Sequence, residues 1–158
     1  MISAPLPAEG READSKARLR LWIRLLRASR EIEKITRERL KSQFNATLPR
    51  FDVMAALYRK PSGMLMSEIS RFLMVSNGNV TGIVDRLVSH GFVARSQRDG
   101  DRRTSFVTLT RKGRTAFAEM AAAHENWIDE LLSGIPVRDA EQLSAKLKAF
   151  KSGWEGEA

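Results

Sequence analysis

The 158-residue sequence predicts a mainly α-helical fold that contains one small β-hairpin. Apolar residues recur at spacings of three and four over most of the chain, which is typical of amphipathic helices. Two five-residue segments alternate instead between apolar and polar residues, and an Asp-Gly turn signal lies between them. The length fits one compact domain with helical extensions.

A flexible arm and a long helix are predicted at the start of the chain. Residues 1–13 contain two prolines and one glycine and have little hydrophobicity, which indicates an arm. From Asp14 to Phe44 no proline or glycine occurs, and apolar residues recur at helical spacing. A helix of this length is too long to pack only within a small domain. We therefore expect a partner subunit to cover its spare face.

Three shorter helices are predicted next. The first begins at Leu48-Pro49, because proline suits the first turn of a helix, and it ends before Gly63. The second covers about residues 67–74, with three residues expected to face inward: Ile69, Phe72 and Leu73. A tight turn at residues 75–76 precedes the third, which Ser76 or Asn77 is expected to cap and Gly91 to end.

The third of these helices has two contrasting faces. Its predicted core stripe follows the i, i+3, i+4, i+7, i+8 pattern and consists of Val80, Ile83, Val84, Leu87 and Val88. Its opposite face carries small and polar residues, among them Gly78, Thr81 and Gly82. Two short helices joined by a tight turn predict a helix-turn-helix. From these residues alone, a plain helical hairpin in a core stays the alternative.

The predicted strands cover residues 92–96 and 105–109, with Asp99-Gly100 between them. A helix-turn-helix followed by a basic hairpin predicts a winged helix. Two further helices are expected over residues 110–132 and 138–151, separated by Gly134 and Pro136. The first helix and the last two therefore flank the winged helix from both ends of the chain.

The charge of the chain is strongly uneven. Lys and Arg number 27 against 19 Asp and Glu, which gives a net charge of +8. Residues 86–115 contain eight basic and two acidic side chains, whereas residues 116–158 are net acidic. Arginine clustered in a short basic window is typical of nucleic-acid binding. On charge alone, a solvated basic surface remains the alternative.

Several classes of protein are excluded or made improbable. Without cysteine there is no disulfide scaffold or thiolate chemistry, and two histidines (His90 and His124) are too few for an ordinary zinc site. No nucleophile elbow or phosphate-binding glycine loop occurs, so we expect neither an enzyme nor a cofactor. No apolar run approaches a membrane span and the N-terminus lacks a secretory signal pattern, so we expect a soluble cytoplasmic protein with no membrane partner.

The hairpin carries a specific pattern. Residues 101–110 contain Asp-x-Arg, five further residues and then Leu-Thr. This pattern resembles the wing signature of the MarR family of bacterial transcription regulators, and residues 80–87 and 110–113 are similar to the family as well. The spacing has a physical reason, since the acid can hold an arginine at the loop tip while Leu109 anchors the returning strand.

The resemblance, which extends over nearly the whole chain, implies a homodimer that binds double-stranded DNA at an inverted repeat. Residues 14–46 and 111–158 would form the helical dimerisation region, and residues 47–110 the winged helix-turn-helix DNA-binding domain. Half-sites about 10 base pairs apart are then expected.

The DNA contacts implied by the resemblance divide by groove. Polar residues at the start of the recognition helix would meet the major groove, namely Ser76, Asn77, Asn79 and Thr81. Arg86 would meet phosphate. The wing arginines Arg98, Arg102 and Arg103 would reach the minor groove, ordered by Asp101. Gly82 stands where many relatives carry a longer side chain, so direct readout is expected to be sparse. For Asp85, a salt bridge on the helix surface is expected rather than a base contact.

Members of the family often bind small aromatic acids between the dimer helices and the winged helix. The matching positions here are Trp22, Phe44, Phe51, Met54 and Phe117, each of which is equally compatible with a plain core role. The stretch 73–82 is similar to a subgroup of repressors of aromatic-acid degradation, some of which respond to acyl-CoA thioesters such as hydroxycinnamoyl-CoA. Arg37 and Arg39 are the candidates for holding CoA phosphates, with a solvated helix face as the alternative.

The sequence therefore predicts a ligand-responsive, sequence-specific DNA-binding regulator. The resemblance favours a repressor of an aromatic-compound catabolic operon, released by a small aromatic acid or its CoA thioester. A constitutive or architectural DNA-binding protein without an effector is the main alternative. A winged helix that binds another protein is the second, although a charged wing is unusual in the core of a protein interface.

Overall fold

The computed structural model describes residues 8–97 and 105–155, and side chains over residues 10–97 and 105–150. The elements in chain order are α1 (Ala8–Phe44), α2 (Leu48–Arg59), β1 (Met64–Leu65), α3 (Met66–Leu73), α4 (Asn77–Ser89), β2 (Val93–Gln97), β3 (Ser105–Leu109), α5 (Arg111–Leu132) and α6 (Val137–Glu155). The predicted fold class, mainly α with a small β-wing, is confirmed. None of the helices described here is both long and apolar enough to cross a membrane.

Helix α1 begins at Ala8 and runs for 37 residues. The prediction of a flexible arm over residues 1–13 is therefore wrong for residues 8–13. Gly10 costs about 1 kcal/mol in a helix, which is too little to stop one that is otherwise rich in Ala, Arg and Glu. The Lys16 ammonium also pairs with the Glu12 carboxylate one turn earlier, at 2.6 Å.

The chain divides into two compact units, residues 1–121 and 122–158. The core of the first unit is built from fully buried aliphatic residues of α1 to α4 and β3, which include Leu40, Met54, Leu57, Ile69, Val84 and Val107. Phe117 of α5 packs against two aromatic rings of α2, with ring centroids 5.4 Å from Phe51 and 5.0 Å from Tyr58. These contacts fasten α2 to the first half of α5.

Helices α3 and α4 form the predicted helix-turn-helix. Met74 lies between them in the left-handed region, with φ of 55°, and the Ser70 hydroxyl donates to the Val75 carbonyl at 2.6 Å to close the turn. Ser76 is the N-cap of α4, as predicted, since its hydroxyl accepts from the Asn79 N–H. Two predicted core residues are instead exposed, Phe72 by 55% and Val88 by 38%, because neighbouring elements cover only part of each apolar face.

The strands form one antiparallel sheet in the order β1-β3-β2. Strand β2 pairs with β3 from Val93↔Leu109 to Gln97↔Ser105, one residue later than the predicted start at residue 92. Strand β1 was not predicted, since two residues are too few to show an alternating pattern. Gly63, with φ of +92°, precedes it, and a Cβ there would come within 2.8 Å of the Thr108 side chain.

The second unit holds the end of α5 and helix α6. Pro136 precedes α6, and its carbonyl accepts from the Asp139 and Ala140 N–H groups in the first turn. Leu143, Leu147 and Phe150 recur at helical spacing along α6 and are 46–65% exposed. His124 packs edge-on against Trp127, and burial lowers the pKa of its imidazole below the ordinary value.

Candidate nucleic-acid interface

The predicted major-groove residues lie at the N-terminal end of helix α4. Ser76, Asn77, Asn79 and Thr81 are all exposed there, as the sequence predicts. The Thr81 hydroxyl donates to the Asn77 carbonyl at 2.9 Å and so keeps its lone pairs available as acceptors. Within the described ranges, no hydrogen bond occupies the side-chain amides of Asn77 and Asn79. These amides can therefore donate to and accept from base edges.

Two glycines flatten the outer face of α4. A Cβ added to either Gly78 or Gly82 would meet no atom within 4 Å, so the fold does not require glycine at these positions. Gly82, in the interior of the helix, nevertheless costs about 0.5–1 kcal/mol relative to alanine. A flat face lets another surface approach the α4 backbone closely. This close approach gives a reason for glycine at these positions that the folding of the chain does not give.

The end of α4 is fastened to the start of α5. Gly91, which was predicted to end α4, adopts φ of +75° directly after the helix. The Thr110 hydroxyl donates to the Gly91 carbonyl at 2.6 Å, and the Lys112 ammonium donates to the His90 carbonyl at 2.8 Å. A Cβ on Gly113 would lie 1.9 Å from the Phe92 carbonyl oxygen. This close approach holds α4 in a fixed position relative to α5.

An ion pair connects α4 to the wing. The Arg95 guanidinium of β2 lies 2.7 Å from the Asp85 carboxylate, which is the salt bridge expected at Asp85. Both side chains are partly exposed, so the pair contributes modestly to stability. Its position links the direction of the recognition helix to that of the hairpin. Arg86, the next residue, is exposed on α4 and carries no ion pair among the described residues.

Four predicted wing residues lie outside the described residues: Arg98, Asp101, Arg102 and Arg103. Their roles in the minor groove and at the loop tip stay predictions. The pairing of β2 with β3 ends at Gln97↔Ser105, the residues on either side of this segment.

A cavity of about 230 Å³ lies behind the C-terminal end of α4. Of the predicted ligand-binding residues, Phe44 and Met54 line it. Their neighbours in the cavity wall include Arg50, Leu87, His90, Phe92 and Met120. Arg50 was not predicted, although its position four residues before Met54 in α2 places both on one helix face.

The other predicted ligand-binding residues do not line this cavity. Trp22 is 57% exposed on α1, and Phe51 is buried against Phe117. The Arg37 guanidinium pairs with the Glu33 carboxylate on the same helix, and Arg39 lies on α1 away from the cavity wall. The structure therefore brings together two of the seven predicted residues, Phe44 and Met54, and Phe117 does not line the cavity either. No group of three metal-ligating side chains occurs in the described ranges.

A groove of about 560 Å³ runs beside α4. Three arginines border it, Arg37, Arg50 and Arg86, together with Gly78 and Gly82 of the flat face. No carboxylate is among the described residues that line the groove, but two acids lie near it. Glu33 pairs with Arg37, and Asp52 is partly buried. Burial raises the pKa of Asp52, the Glu33 carboxylate raises it further, and Arg37 opposes both. The groove is thus a basic channel along the recognition helix, suited to a phosphate backbone.

Three features together define a winged-helix DNA-binding protein. They are a helix-turn-helix with free amides on its second helix, a basic groove beside that helix, and a β-hairpin that follows it. A family model described as MarR family matches residues 46–105. The transcriptional activatory protein BadR of Rhodopseudomonas palustris is 31% identical over 125 residues, which cover 77% of this chain and 71% of BadR. The chain belongs to the MarR family.

Solved structures agree with this assignment. A MarR family transcriptional regulator from Silicibacter pomeroyi is 31% identical, with a TM-score of 0.73, and the match covers 89% of this chain and 97% of that one. A mutant MarR from E. coli in complex with operator DNA shares the fold, at 24% identity and a TM-score of 0.71, over 82% of this chain and 92% of that one. The chain is a DNA-binding transcription regulator rather than an enzyme.

Proposed function

We propose that the chain acts as a homodimeric, ligand-responsive repressor that leaves an inverted-repeat operator when a small aromatic acid or its CoA thioester binds. The observation that carries the proposal is the 230 Å³ cavity at the end of the recognition helix. An effector bound in this cavity would lie next to the element that is proposed to read DNA.

The cavity suits one aromatic ring. Phe44, Met54, Phe92 and Met120 supply most of its apolar wall, and Arg50 supplies a cation. Apolar protein cavities of roughly 150 Å³ bind benzene, so this volume accommodates a ring with a short acidic substituent. A CoA moiety would have to extend outside the cavity. Arg37 lines the neighbouring groove and would meet its phosphates there, whereas Arg39 borders neither space.

The effector would act through the joint between α4 and α5. His90 and Phe92 line the cavity, and the Lys112 ammonium both binds the His90 carbonyl and lies 5.1 Å from the centre of the Phe92 ring. A ligand that displaces either residue therefore changes the support of the recognition helix. It lowers DNA occupancy only as far as it prefers the conformation that binds DNA poorly.

A second copy of the chain is the partner expected on the exposed apolar faces. The first half of α1 exposes five large apolar side chains: Leu19, Leu21, Trp22, Ile23 and Leu25. Helix α6 exposes its own stripe at Leu143, Leu147 and Phe150. Residues 116–158 are net acidic and α1 is net basic, so pairing between copies brings opposite charges together. A C2 dimer of this kind reads an inverted repeat.

The test is a DNA-binding titration with the promoter region next to the protein's own gene. It is run without effector and with benzoate, p-coumarate, p-coumaroyl-CoA or CoA alone, and sedimentation reports the oligomeric state. We expect a dimer that binds selectively and is weakened by an aromatic acid or the thioester. Selective binding that no effector changes would favour a constitutive DNA-binding protein. A reporter that loses expression on gene deletion would show an activator instead.

A further inference from the structure

Arg50 borders two spaces at once. It lines the 230 Å³ cavity with Phe44 and Met54, and it lines the 560 Å³ groove with Gly78 and Asn79 of the recognition helix. The side chain is half-buried in the first turn of α2. Over the described residues, no carboxylate lies within ion-pair distance of its guanidinium. Its charge is therefore available to an anion from outside the chain.

On the cavity side, the chemistry fits an aromatic carboxylate. The cavity wall is mainly apolar, and Arg50 is the arginine among the described residues that line it. The other ionisable side chains of the wall, His90 and Glu119, are exposed. A guanidinium binds a carboxylate through two parallel hydrogen bonds, which gives the contact a fixed geometry. A ring among Phe44, Met54 and Met120 would direct its carboxylate to this cation.

On the groove side, the chemistry fits a DNA phosphate. The groove follows α4 from Gly78 and Asn79 to Arg86, along the face that has no Cβ at Gly78 and Gly82. A duplex that approaches this flat face brings its backbone over the groove. Arg50 can then pair with a phosphate from the α2 side, opposite Arg86.

We propose that Arg50 is shared between DNA and effector: its guanidinium binds an operator phosphate in the ligand-free protein and the carboxylate of a single-ring aromatic acid in the ligand-bound protein. The inference rests on the proposed function and deepens it, because it names the ligand's charged group and the residue for which ligand and DNA compete. Binding of the acid removes one phosphate contact, and the thioester form, which has no carboxylate, does not use this route.

The test compares Arg50→Met with Arg59→Met, a matched control that removes an exposed cation from the end of the same helix. The DNA is a duplex that the wild-type protein selects from a random-sequence library, and the probes are benzoate and its neutral analogue benzamide. Each phosphate contact contributes about 0.9 to the slope of log affinity against log salt. One contact therefore changes the ratio of affinities at 50 and 200 mM salt by about 3.5-fold.

We expect benzoate, but not benzamide, to reduce the wild-type salt slope by about one contact. Arg50→Met should show the reduced slope without ligand and no further response to benzoate, while Arg59→Met behaves as wild type. Arg50→Lys should keep the salt slope, since it keeps the charge, but bind benzoate more weakly. Melting curves confirm that each variant is folded.

Three results would overturn the inference: an Arg50→Met variant with the wild-type slope, an Arg50→Met variant that still responds to benzoate, or equal effects of benzoate and benzamide. A wild-type protein that binds DNA selectively but ignores benzoate also overturns it, while leaving the regulator intact. If the wild-type protein selects no duplex, the proposed function and the inference fail together.

Discussion

Replacing Gly82 by alanine should stabilise the protein and weaken its binding to DNA. Gly82 lies inside helix α4, where alanine is favoured over glycine by about 0.5–1 kcal/mol. The added Cβ meets no atom of the chain within 4 Å, so no steric cost offsets this gain. For a protein of this size, a gain of 1 kcal/mol raises the melting temperature by about 2–4 °C.

The same methyl group should interfere with DNA if the duplex contacts the flat face of α4. Overpacking a close interface typically costs about 1–3 kcal/mol, so affinity should fall by about 5- to 150-fold. The assays are urea unfolding and a titration with an operator duplex. Ser89→Ala, at the far end of α4, serves as the control and should change affinity little.

Either of two results would refute this reasoning. A loss of stability would mean that the methyl group meets protein atoms at position 82. An unchanged affinity for the operator would mean that DNA does not approach α4 at this position, and the role assigned to the glycines would be wrong.

Three further predictions follow from the contacts described above. A double-mutant cycle of Asp85→Asn and Arg95→Gln, measured by urea unfolding, should give a coupling energy of about 0.2–1 kcal/mol, and a value near zero in low salt would remove the pair as a link between α4 and the wing. Gly113→Ala should destabilise the protein by about 3 kcal/mol or more, because the new Cβ would overlap the Phe92 carbonyl; a melting temperature equal to that of wild type would contradict the joint between α4 and α5. Asp52→Asn should raise stability at neutral pH. Burial, and to a smaller extent a neighbouring glutamate, raises the pKa of this carboxyl. Its favourable contribution to the free energy of unfolding is therefore present below the unfolded-state pKa and is lost as the pH rises through the folded-state pKa. The gain of Asp52→Asn should therefore disappear in melting curves near pH 3, and an equal gain at both pH values would show that ionisation is not the cause.

Local patterns determined the helix-turn-helix from the sequence with little error. The Pro49 start of α2, the Ser76 cap and the Gly91 stop depend on φ preferences and hydrogen bonds within a few residues, so each was predictable and each is present. The start of α1 was missed because Gly10, together with the two prolines before it, indicates an arm, whereas the helix-forming residues around Gly10 outweigh its cost of about 1 kcal/mol. Strand β1 was missed because two residues become a strand only when β3 lies beside them.

The functional site also combines features that the sequence predicts with features that only the tertiary structure decides. The sequence by itself determined the family and the polar start of α4, because a residue pattern at fixed spacing specifies each of them. It also predicts a salt bridge at Asp85, but only the tertiary structure supplies the partner, Arg95 of β2. Only the tertiary structure decided which aromatic residues line a cavity, since Phe44, Phe51 and Trp22 are all large aromatic residues and differ in what packs against them. It alone placed Arg50 between cavity and groove, because the end of α1 and helices α2, α4 and α5 must meet before either space exists. Spacing along a chain specifies the faces of a helix, but packing against distant segments decides what each face touches.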